Sequence, residues 1–595
     1  MEVPGISAKK CEQIRDSYLE TRGARRIITM LAPLDISAAR AVQLQKKLGR
    51  NAEALLREHP YQVYEKGALD FQTADKLAQS NGISRTDPER TAAGLLHTLE
   101  LAEQRGHLSL HKEEFVQSAV HLLDTPELTR QAVARQAFEM LQAGRLTLYR
   151  EFVYRTLSAK AEQGAAMRIR ELLEQNQLPY MGDLDEEIDR QQEEMGIILA
   201  EEQRHAVKTA LTSPICIISG GPGTGKTLIQ RVMLHIYTKA FPDAKVVCCA
   251  PTGRAARRME QSTGFFAATV HKALGLTSGE INELELLEPL DADLVLVDEV
   301  SMLDMVLTWY LLNALPPACR LILVGDADQL PSVGPGAVLS ELIACGRIPV
   351  VMLDKVFRQD EGSRIAENAK LIRHNQTELQ FGEEFQFHAA PDFARSAELL
   401  ERLYLQEVNR CGLDNVALLT PFRRKTETGV QALNQRFQAL INPQAPDKSE
   451  IAVGQRVLRL GDKVMQIQNQ DEVSNGDVGY IRAIDQSGDG FCVEVDFGDS
   501  RIVAYEDYEG LNKLDLAYAS TIHKSQGSEY DSVLITLQYG HRNMLKRPLI
   551  YTALTRARRR AAVVGDWSAV RKAIQTVDTE RRNTLLAARI TETEN

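Results

Sequence analysis

The sequence predicts an α/β protein built on two parallel-sheet domains, with a small β-barrel inserted into the second and a helical region ahead of both. Three observations carry that expectation. Short apolar runs at 215–219, 245–250, 293–298, 320–325, 415–419, 532–537 and 561–565 alternate with helical patterns, as parallel strands covered on both faces do. The stretch Gly220-Gly221-Pro222-Gly223-Thr224-Gly225-Lys226-Thr227 leaves the run Ile215-Cys216-Ile217-Ile218 and enters a helix pattern of Leu228, Ile229, Val232, Met233 and Ile236. Finally, 595 residues exceed what one core holds, so three or four domains are expected. Four strands precede Phe357 and three follow it, with the glycine-rich turn on the first group alone. One ligand shared by two domains follows, held beyond the carboxyl ends of the strands.

The glycine-rich turn is a complete phosphate-binding loop in its proper strand–turn–helix setting. Backbone N–H groups of Gly221, Pro222's neighbours, Gly223, Thr224 and Gly225 converge on phosphate oxygens, and the helix N-terminus adds its positive dipole end. Lys226 reaches the β- and γ-phosphates and the Thr227 hydroxyl ligates Mg²⁺. ATP and Mg²⁺ are therefore the expected ligands. A later apolar strand, Leu294-Val295-Leu296-Val297, delivers Asp298 and Glu299 at its end. Asp298 is suited to hold the metal, and Glu299 to polarise a water against the γ-phosphate. Gly325-Asp326-Ala327-Asp328-Gln329 leaves a further apolar strand, and the Gln329 amide is placed to sense that phosphate. Arg358 and Arg556 are placed to bring guanidinium groups from the second domain to the charge that develops there.

Composition narrows the setting. The chain is 44% hydrophobic and 25% charged, with no apolar run of membrane-spanning length and no signal segment, so a cytoplasmic protein without membrane contact is expected. Its eight cysteines show no paired CxxC spacing and read as buried reduced thiols. A net charge of −11 argues against indiscriminate polyanion binding, yet eleven Lys or Arg against three acids lie between His541 and Arg582. A local basic groove is enough for nucleic acid.

This string of motifs resembles superfamily 1 DNA helicases, specifically the RecD-like branch that includes stand-alone RecD helicases. The resemblance implies two RecA-like domains. In it, Gln203 matches the adenine-reading glutamine, and Glu529 faces the nucleotide sugar. Pro251, Thr252, Gly253 and Arg254, with Thr269 and His271, look like segments that grip a single strand. Tyr518-Ala519-Ser520-Thr521-Ile522-His523-Lys524-Ser525-Gln526-Gly527-Ser528-Glu529 is similar to the family's motif V, and Thr521, His523, Lys524 and Ser525 suit phosphate contacts. A strand-separating pin is implied at about 274–287, where Ser278-Gly279 suggests a hairpin; a plain surface hairpin is the alternative. Asn475-Gly476 and the alternating run Phe491-Cys492-Val493-Glu494-Val495-Asp496-Phe497 read as the SH3-like barrel insertion.

The expected domains are therefore 1–85 (helix-hairpin-helix-like), 86–195 (winged-helix-like and linking helices), 196–355 (first RecA-like), 356–440 with 516–582 (second RecA-like) and 441–515 (barrel). Val3-Pro4-Gly5-Ile6-Ser7 resembles a DNA-binding hairpin. The weaker echoes at Leu34-Asp35-Ile36-Ser37 and Ala68-Leu69-Asp70-Phe71 place an acid where relatives have glycine, and read as structural hairpins. The chain reads as beginning inside the helix-hairpin-helix region, and His107 as structural. The expected activity is an ATP-dependent DNA helicase, acting as a monomer on single-stranded DNA and single-strand/duplex junctions. The resemblance adds 5′→3′ polarity and a place in repair or recombination. An RNA-directed helicase and an ATP-gated DNA clamp are the alternatives.

Overall fold

The computed structural model describes residues 25–34, 36–174, 182–276, 287–355, 363–424, 426–470, 473–486, 490–576 and 582–592. The chain forms two compact units, one comprising residues up to Lys160 with Gly334–Gly336 and Arg582–Thr584, the other the remainder.

The first unit opens with short helices whose caps explain its acidic turns. Asp70 occupies the N-cap of the helix Phe71–Ser80 and accepts from the Thr73 amide at 2.9 Å and the Thr73 hydroxyl at 2.7 Å, which satisfies a terminal N–H. Ser37 caps Ala38–Leu48 in the same way. There follow Pro88–Gln104, the strand Ser109–His111, helices Lys112–Leu123 and Arg130–Gln142, and strands Leu146–Tyr149 and Phe152–Arg155. The last strand lies between the other two, giving winged-helix order around Leu95, Phe115, Val133 and Val153. His107 is structural, as expected: its Nδ1 accepts from the Asn583 amide at 3.1 Å.

In the second unit, two separate sheets are parallel throughout. The first runs Ala267–Thr269, Val246–Ala250, Leu294–Val297, Arg320–Gly325, Ile215–Gly220 and Val350–Leu353 from edge to edge. The second runs Phe385–Ala389, Ala557–Gly565, Tyr530–Leu537, Val416–Thr420 and Ser520–Thr521. Each thus has two strands beyond those legible in the sequence, and these additions include edge strands too short or too polar to show as apolar runs. Central strands such as Ile215–Gly220 and Arg320–Gly325 are buried along their whole length, because helices cover both faces.

Between the halves of the second sheet's sequence sits an antiparallel five-stranded sheet ordered Ile502–Tyr505, Cys492–Asp496, Val478–Asp485, Lys463–Gln466, Leu514–Leu516, with a hairpin of Glu450–Val453 and Arg456–Arg459. Asn475-Gly476 makes the expected turn, Gly476 at φ +97°. Its core is continuous with that of the second sheet through Tyr404, Phe437, Val464, Val495 and Leu534. Buried Asp462 ties the insertion in, accepting from Asn442 at 2.8 Å and the Tyr518 hydroxyl at 3.0 Å. These are two RecA-like domains, one bearing the phosphate-binding loop, with an SH3-like insertion in the second and a helical region before them. No described helix is long and apolar enough to cross a membrane.

Candidate nucleotide site and strand-facing motifs

Parallel strands put four motifs of the first domain on one edge. Gly220 leads into the phosphate-binding loop, Val297 into Asp298-Glu299, Gly325 into Asp326, and Ala250 into Pro251-Thr252. The loop itself depends on glycine. Gly223 and Gly225 have φ of +79° and +88°, and a Cβ on Gly225 would lie 2.2 Å from Gln203 Nε2. Lys226 folds over the loop and donates to the Gly220 and Gly221 carbonyls at 2.5 and 3.1 Å. Gln203 is buried; its Oε1 accepts from the Ala200 amide and its Nε2 donates to the Thr224 carbonyl, each at 3.0 Å. In this conformation it braces the loop.

Glu299 adopts φ +52°, ψ 41°, a left-handed conformation that is uncommon for a side chain of this size and collects at functional sites. Asp298 Oδ1 accepts the Glu299 amide at 2.8 Å. Burial, then the neighbouring Glu299, pushes the Asp298 carboxyl above its ordinary range, and Lys226 opposes them. Burial likewise raises Asp326, which accepts from Gln329 Nε2 at 3.0 Å and from the Tyr551 hydroxyl of the second domain at 3.2 Å. Gln329 Oε1 is buried with no partner among the described residues.

A cavity of about 640 Å³ opens where the two RecA-like domains face each other, lined by Gly221–Thr224, Asp354, Arg373, Tyr551 and Arg558 among others. Contacts between the domains surround it. Arg373 pairs with Asp328 at 2.7 Å and Asp354 at 2.9 Å. The Leu330 amide donates to Thr552 Oγ1, and Gln526 Nε2 donates to the Leu330 carbonyl, both at 2.9 Å. Leu330 itself enters the second domain's core beside Leu549 and Ile550.

Of the two expected arginines, only Arg556 is among the described residues, and it does not line this cavity. Arg358 lies outside the described residues, as does most of the expected pin, 277–286, and the hairpin motif at Val3–Ser7. Arg556 is placed otherwise than the sequence predicts: it is buried, and its guanidinium donates to the Thr552 and Ser528 carbonyls at 3.2 Å and to Thr555 Oγ1 at 3.4 Å. Carbonyls of its own domain capture it, whereas Arg558 lines the cavity. Glu529 also differs from expectation in its partners. It accepts from Arg258 at 2.5 Å and Arg558 at 3.1 Å rather than standing open to the cavity. Burial opposes the Arg258 charge, yet Glu529, Glu299 and Asp298 around it hold its pKa above the usual guanidinium value. Sequence reasoning passed over Arg258, Arg373, Tyr551 and Arg558; only the spacing of Arg254 and Arg258, one helical turn apart, offered a signal.

The strand-facing segments fall into two groups that meet. Thr252 and Thr269 are both N-caps, accepting from the Ala255 amide at 3.3 Å and the Lys272 amide at 3.1 Å. Pro251, Gly253 and Arg254 flank the first cap. Arg254 donates to Ser528 Oγ at 2.8 Å and to the Tyr530 hydroxyl at 3.1 Å. His271 is partly buried, and burial depresses its pKa. From the second domain, Thr521 ends a strand and its hydroxyl accepts the Lys524 amide at 3.3 Å; His523–Ser525 form a 3₁₀ turn whose Ser525 hydroxyl donates to the Ile522 carbonyl. A Cβ at Gly527 would lie 3.3 Å from Thr252 Oγ1 and Ala255 Cβ, so the groups touch across the domain boundary.

A phosphate-binding loop, an Asp-Glu pair at the end of a parallel strand two places away in the same sheet and a second RecA-like sheet facing them define a nucleotide-driven motor of the helicase type. Family models agree along the chain: an AAA domain at residues 203–335, an ATP-dependent RecD2 DNA helicase HHH domain at 20–109, an ATP-dependent RecD-like DNA helicase SH3 domain at 433–497, and a UvrD-like helicase C-terminal domain at 516–564. The chain is 33% identical to the ATP-dependent RecD2 DNA helicase of Deinococcus radiodurans over 610 residues, which cover 99% of this chain and 81% of that one. It is 32% identical to the RecBCD enzyme subunit RecD of Mycobacterium tuberculosis over 418 residues, covering 63% of this chain and 70% of that subunit. Among solved structures, the Pif1 helicase of Candida albicans overlaps 64% of this chain and 98% of its own, with 21% identity and a TM-score of 0.39. The chain belongs to the RecD-like superfamily 1 DNA helicases of the RecD2 type, and is an ATP-dependent DNA helicase.

Proposed function

We propose that this helicase binds ATP in the cavity between its RecA-like domains and moves 5′→3′ along single-stranded DNA, as a cytoplasmic monomer serving repair or recombination. The observation that carries the mechanism is the convergence of the loop Gly221–Thr224 with Tyr551, Arg373 and Arg558 of the opposite domain on one cavity. Incoming phosphates offer Lys226 a stronger acceptor than the two loop carbonyls it now holds. Glu299 takes the proton of the attacking water. Gln329, its Nε2 fixed on Asp326, presents to that water an Oε1 that has no partner among the described residues. The Thr227 hydroxyl and Asp298 carboxylate fit Mg²⁺: they are hard oxygen donors, and two protein ligands completed by phosphates and water is the mode this ion prefers. When bound, the ion would neutralise charge on the β- and γ-oxygens.

Arg373 and Arg558 supply the guanidinium charge on the second domain's side, with Arg556 fixing the backbone behind them and Arg358 assigned by its motif. Gln203 sets the loop on which the base and sugar rest, and Glu529 closes the far side. The segments Pro251–Arg254 and Thr269–His271 grip the strand from the first domain, and Thr521–Ser525 from the second. Their alternate holding, biased by nucleotide state, moves the strand. Contacts to phosphates make binding sequence-independent and salt-sensitive.

The test is ATP-dependent unwinding of duplexes bearing a 5′ or a 3′ single-stranded tail, at several salt concentrations. Unwinding from the 5′ tail, weakening with salt, supports the proposal. Unwinding from the 3′ tail overturns the polarity. ATP-dependent DNA binding without unwinding of either overturns the pairing of grip and motor.

A further inference from the structure

The barrel insertion shares its core with the second RecA-like domain, yet one of its turns is fastened to the first. That turn, Ser474-Asn475-Gly476-Asp477, is pinned to the insertion's own strand Lys463–Gln466. The Gly476 amide donates to the Gln466 carbonyl and the Gln466 amide to the Asp477 carbonyl, both at 2.8 Å. The Asp477 side chain is only 1% exposed. Its Oδ2 accepts from the Ser474 amide at 3.1 Å and from Arg501 of the insertion at 2.9 Å. Its Oδ1 accepts from Arg257, which belongs to the first domain's helix Gly253–Thr263. The same helix meets the turn at its first residue, where a Cβ on Gly253 would lie 2.7 Å from Ser474 Cβ and 2.8 Å from Ser474 Oγ. That close approach is a mark of docking separate from the ion pair. The first turn of this helix, which begins at Thr252, is therefore held from two sides. Arg254 ties it to Ser528 and Tyr530, and Ser474 and Asp477 tie it to the insertion.

We propose that Arg257 and Asp477 are positioning residues for the DNA strand: their pair holds the Ser474–Asp477 turn against Pro251–Arg254, and the turn closes that side of the strand's path. This rests on the assignment of Pro251–Arg254 to the DNA strand. A planar guanidinium on a carboxylate fixes direction as well as distance. Opening the pair is unfavourable, because it leaves the buried Asp477 with one of its two cations gone. A bound strand leaves sideways only when the turn lifts, so the pair governs how long the strand is held. Neither residue lines the nucleotide cavity, so the chemical step there does not depend on them.

The experiment is the dissociation rate of fluorescein-labelled oligothymidylate, chased with unlabelled strand, for the wild type, Arg257→Gln, Arg257→Lys, Asp477→Asn and the double variant Arg257→Gln/Asp477→Asn. Arg257→Gln and Asp477→Asn should each release DNA about tenfold faster, as breaking one partner of a buried charge pair does. The kcat for ATP hydrolysis at saturating DNA should stay within about threefold of wild type. Arg257→Lys should recover part of the retention. The double variant should release no faster than the faster single variant, since residues acting through one contact are not additive. If Arg257 instead held a DNA phosphate itself, Asp477→Asn would free it and slow release, and that result would overturn the proposal. So would unchanged release in both single variants, or effects that multiply in the double. Should Asp477→Asn fail to fold, Ser474→Leu wedges the turn from Gly253 with the carboxylate left in place; it should also speed release, and wild-type release there would count against the proposal. Thr252→Asp separates this from the strand assignment, because it keeps the helix cap while repelling a phosphate. Unweakened DNA binding in Thr252→Asp defeats that assignment, whereas weakened binding there beside normal release in the Arg257, Asp477 and Ser474 variants defeats only the positioning role.

Discussion

Replacing Gly225 by alanine probes how the nucleotide loop is built. Gly225 sits at φ +88°, where an L-residue costs about 1–2 kcal/mol. Its new Cβ would lie 2.2 Å from Gln203 Nε2, so Gln203 must withdraw. That breaks the 3.0 Å bond to the Thr224 carbonyl and leaves a buried amide unpaired, worth roughly 1–3 kcal/mol. The sum, about 2–5 kcal/mol against the phosphate-ready loop, corresponds to roughly 30-fold to several-thousand-fold weaker nucleotide binding. Titration with a fluorescent ADP analogue reads it directly, and urea unfolding checks that the domain is intact. The double variant Gly225→Ala/Gln203→Ala removes the collision but keeps the backbone cost, so it should bind more tightly than the product of the single losses predicts. An affinity for Gly225→Ala within threefold of wild type, or strict additivity in the double, would refute the loop geometry.

Lys226→Ala should abolish turnover, while Glu299→Gln should keep ATP binding and lose at least about a hundredfold in kcat; lost nucleotide binding in Glu299→Gln would contradict its role as base. Arg556→Ala should lower stability by about 2–4 kcal/mol, since three buried acceptors lose their donor; an unchanged melting temperature would show that its burial is not structural. His541 is enclosed, its Nδ1 accepting from the Gln538 amide, and burial pushes its pKa down to about 4. The unfolded chain therefore binds this proton first as pH falls, so the stability His541 contributes is whole above about 6.5 and is lost toward pH 4, up to about 3 kcal/mol. Urea midpoints at pH 7.5 and 5 should diverge accordingly, and by less in His541→Asn. Equal divergence in that variant would assign the acid sensitivity to other groups.

What the sequence made legible is what lies near in the chain. The loop 220–227, the pair Asp298-Glu299 and the turn at Gly325-Asp326 each follow an apolar strand, so strand and chemistry could be read together. Parallel pairing then put them on one edge without further information. The directions of long side chains were not legible. Arg556 and Arg558 stand two residues apart in one basic run, yet the first is drawn into backbone carbonyls and the second lines the cavity; only tertiary packing distinguishes them. Arg373 gave no signal, because its partners Asp328 and Asp354 come from the other domain. The strand Phe385–Ala389 was missed since its exposed edge position admits Gln386 and His388. Asp70, read as a departure from a glycine turn, turned out to have a local reason in capping the next helix.

The central claim is that nucleotide held between the two RecA-like domains changes their separation. Spin labels on the exposed sides of helices Lys226–Ala240 and Phe393–Cys411 would report that distance by pulsed electron resonance. With single-stranded DNA present, ADP and aluminium fluoride should narrow and shorten the distribution relative to the nucleotide-free protein, and should leave it unchanged in Lys226→Ala. Identical distributions with and without nucleotide in the wild type would contradict the account.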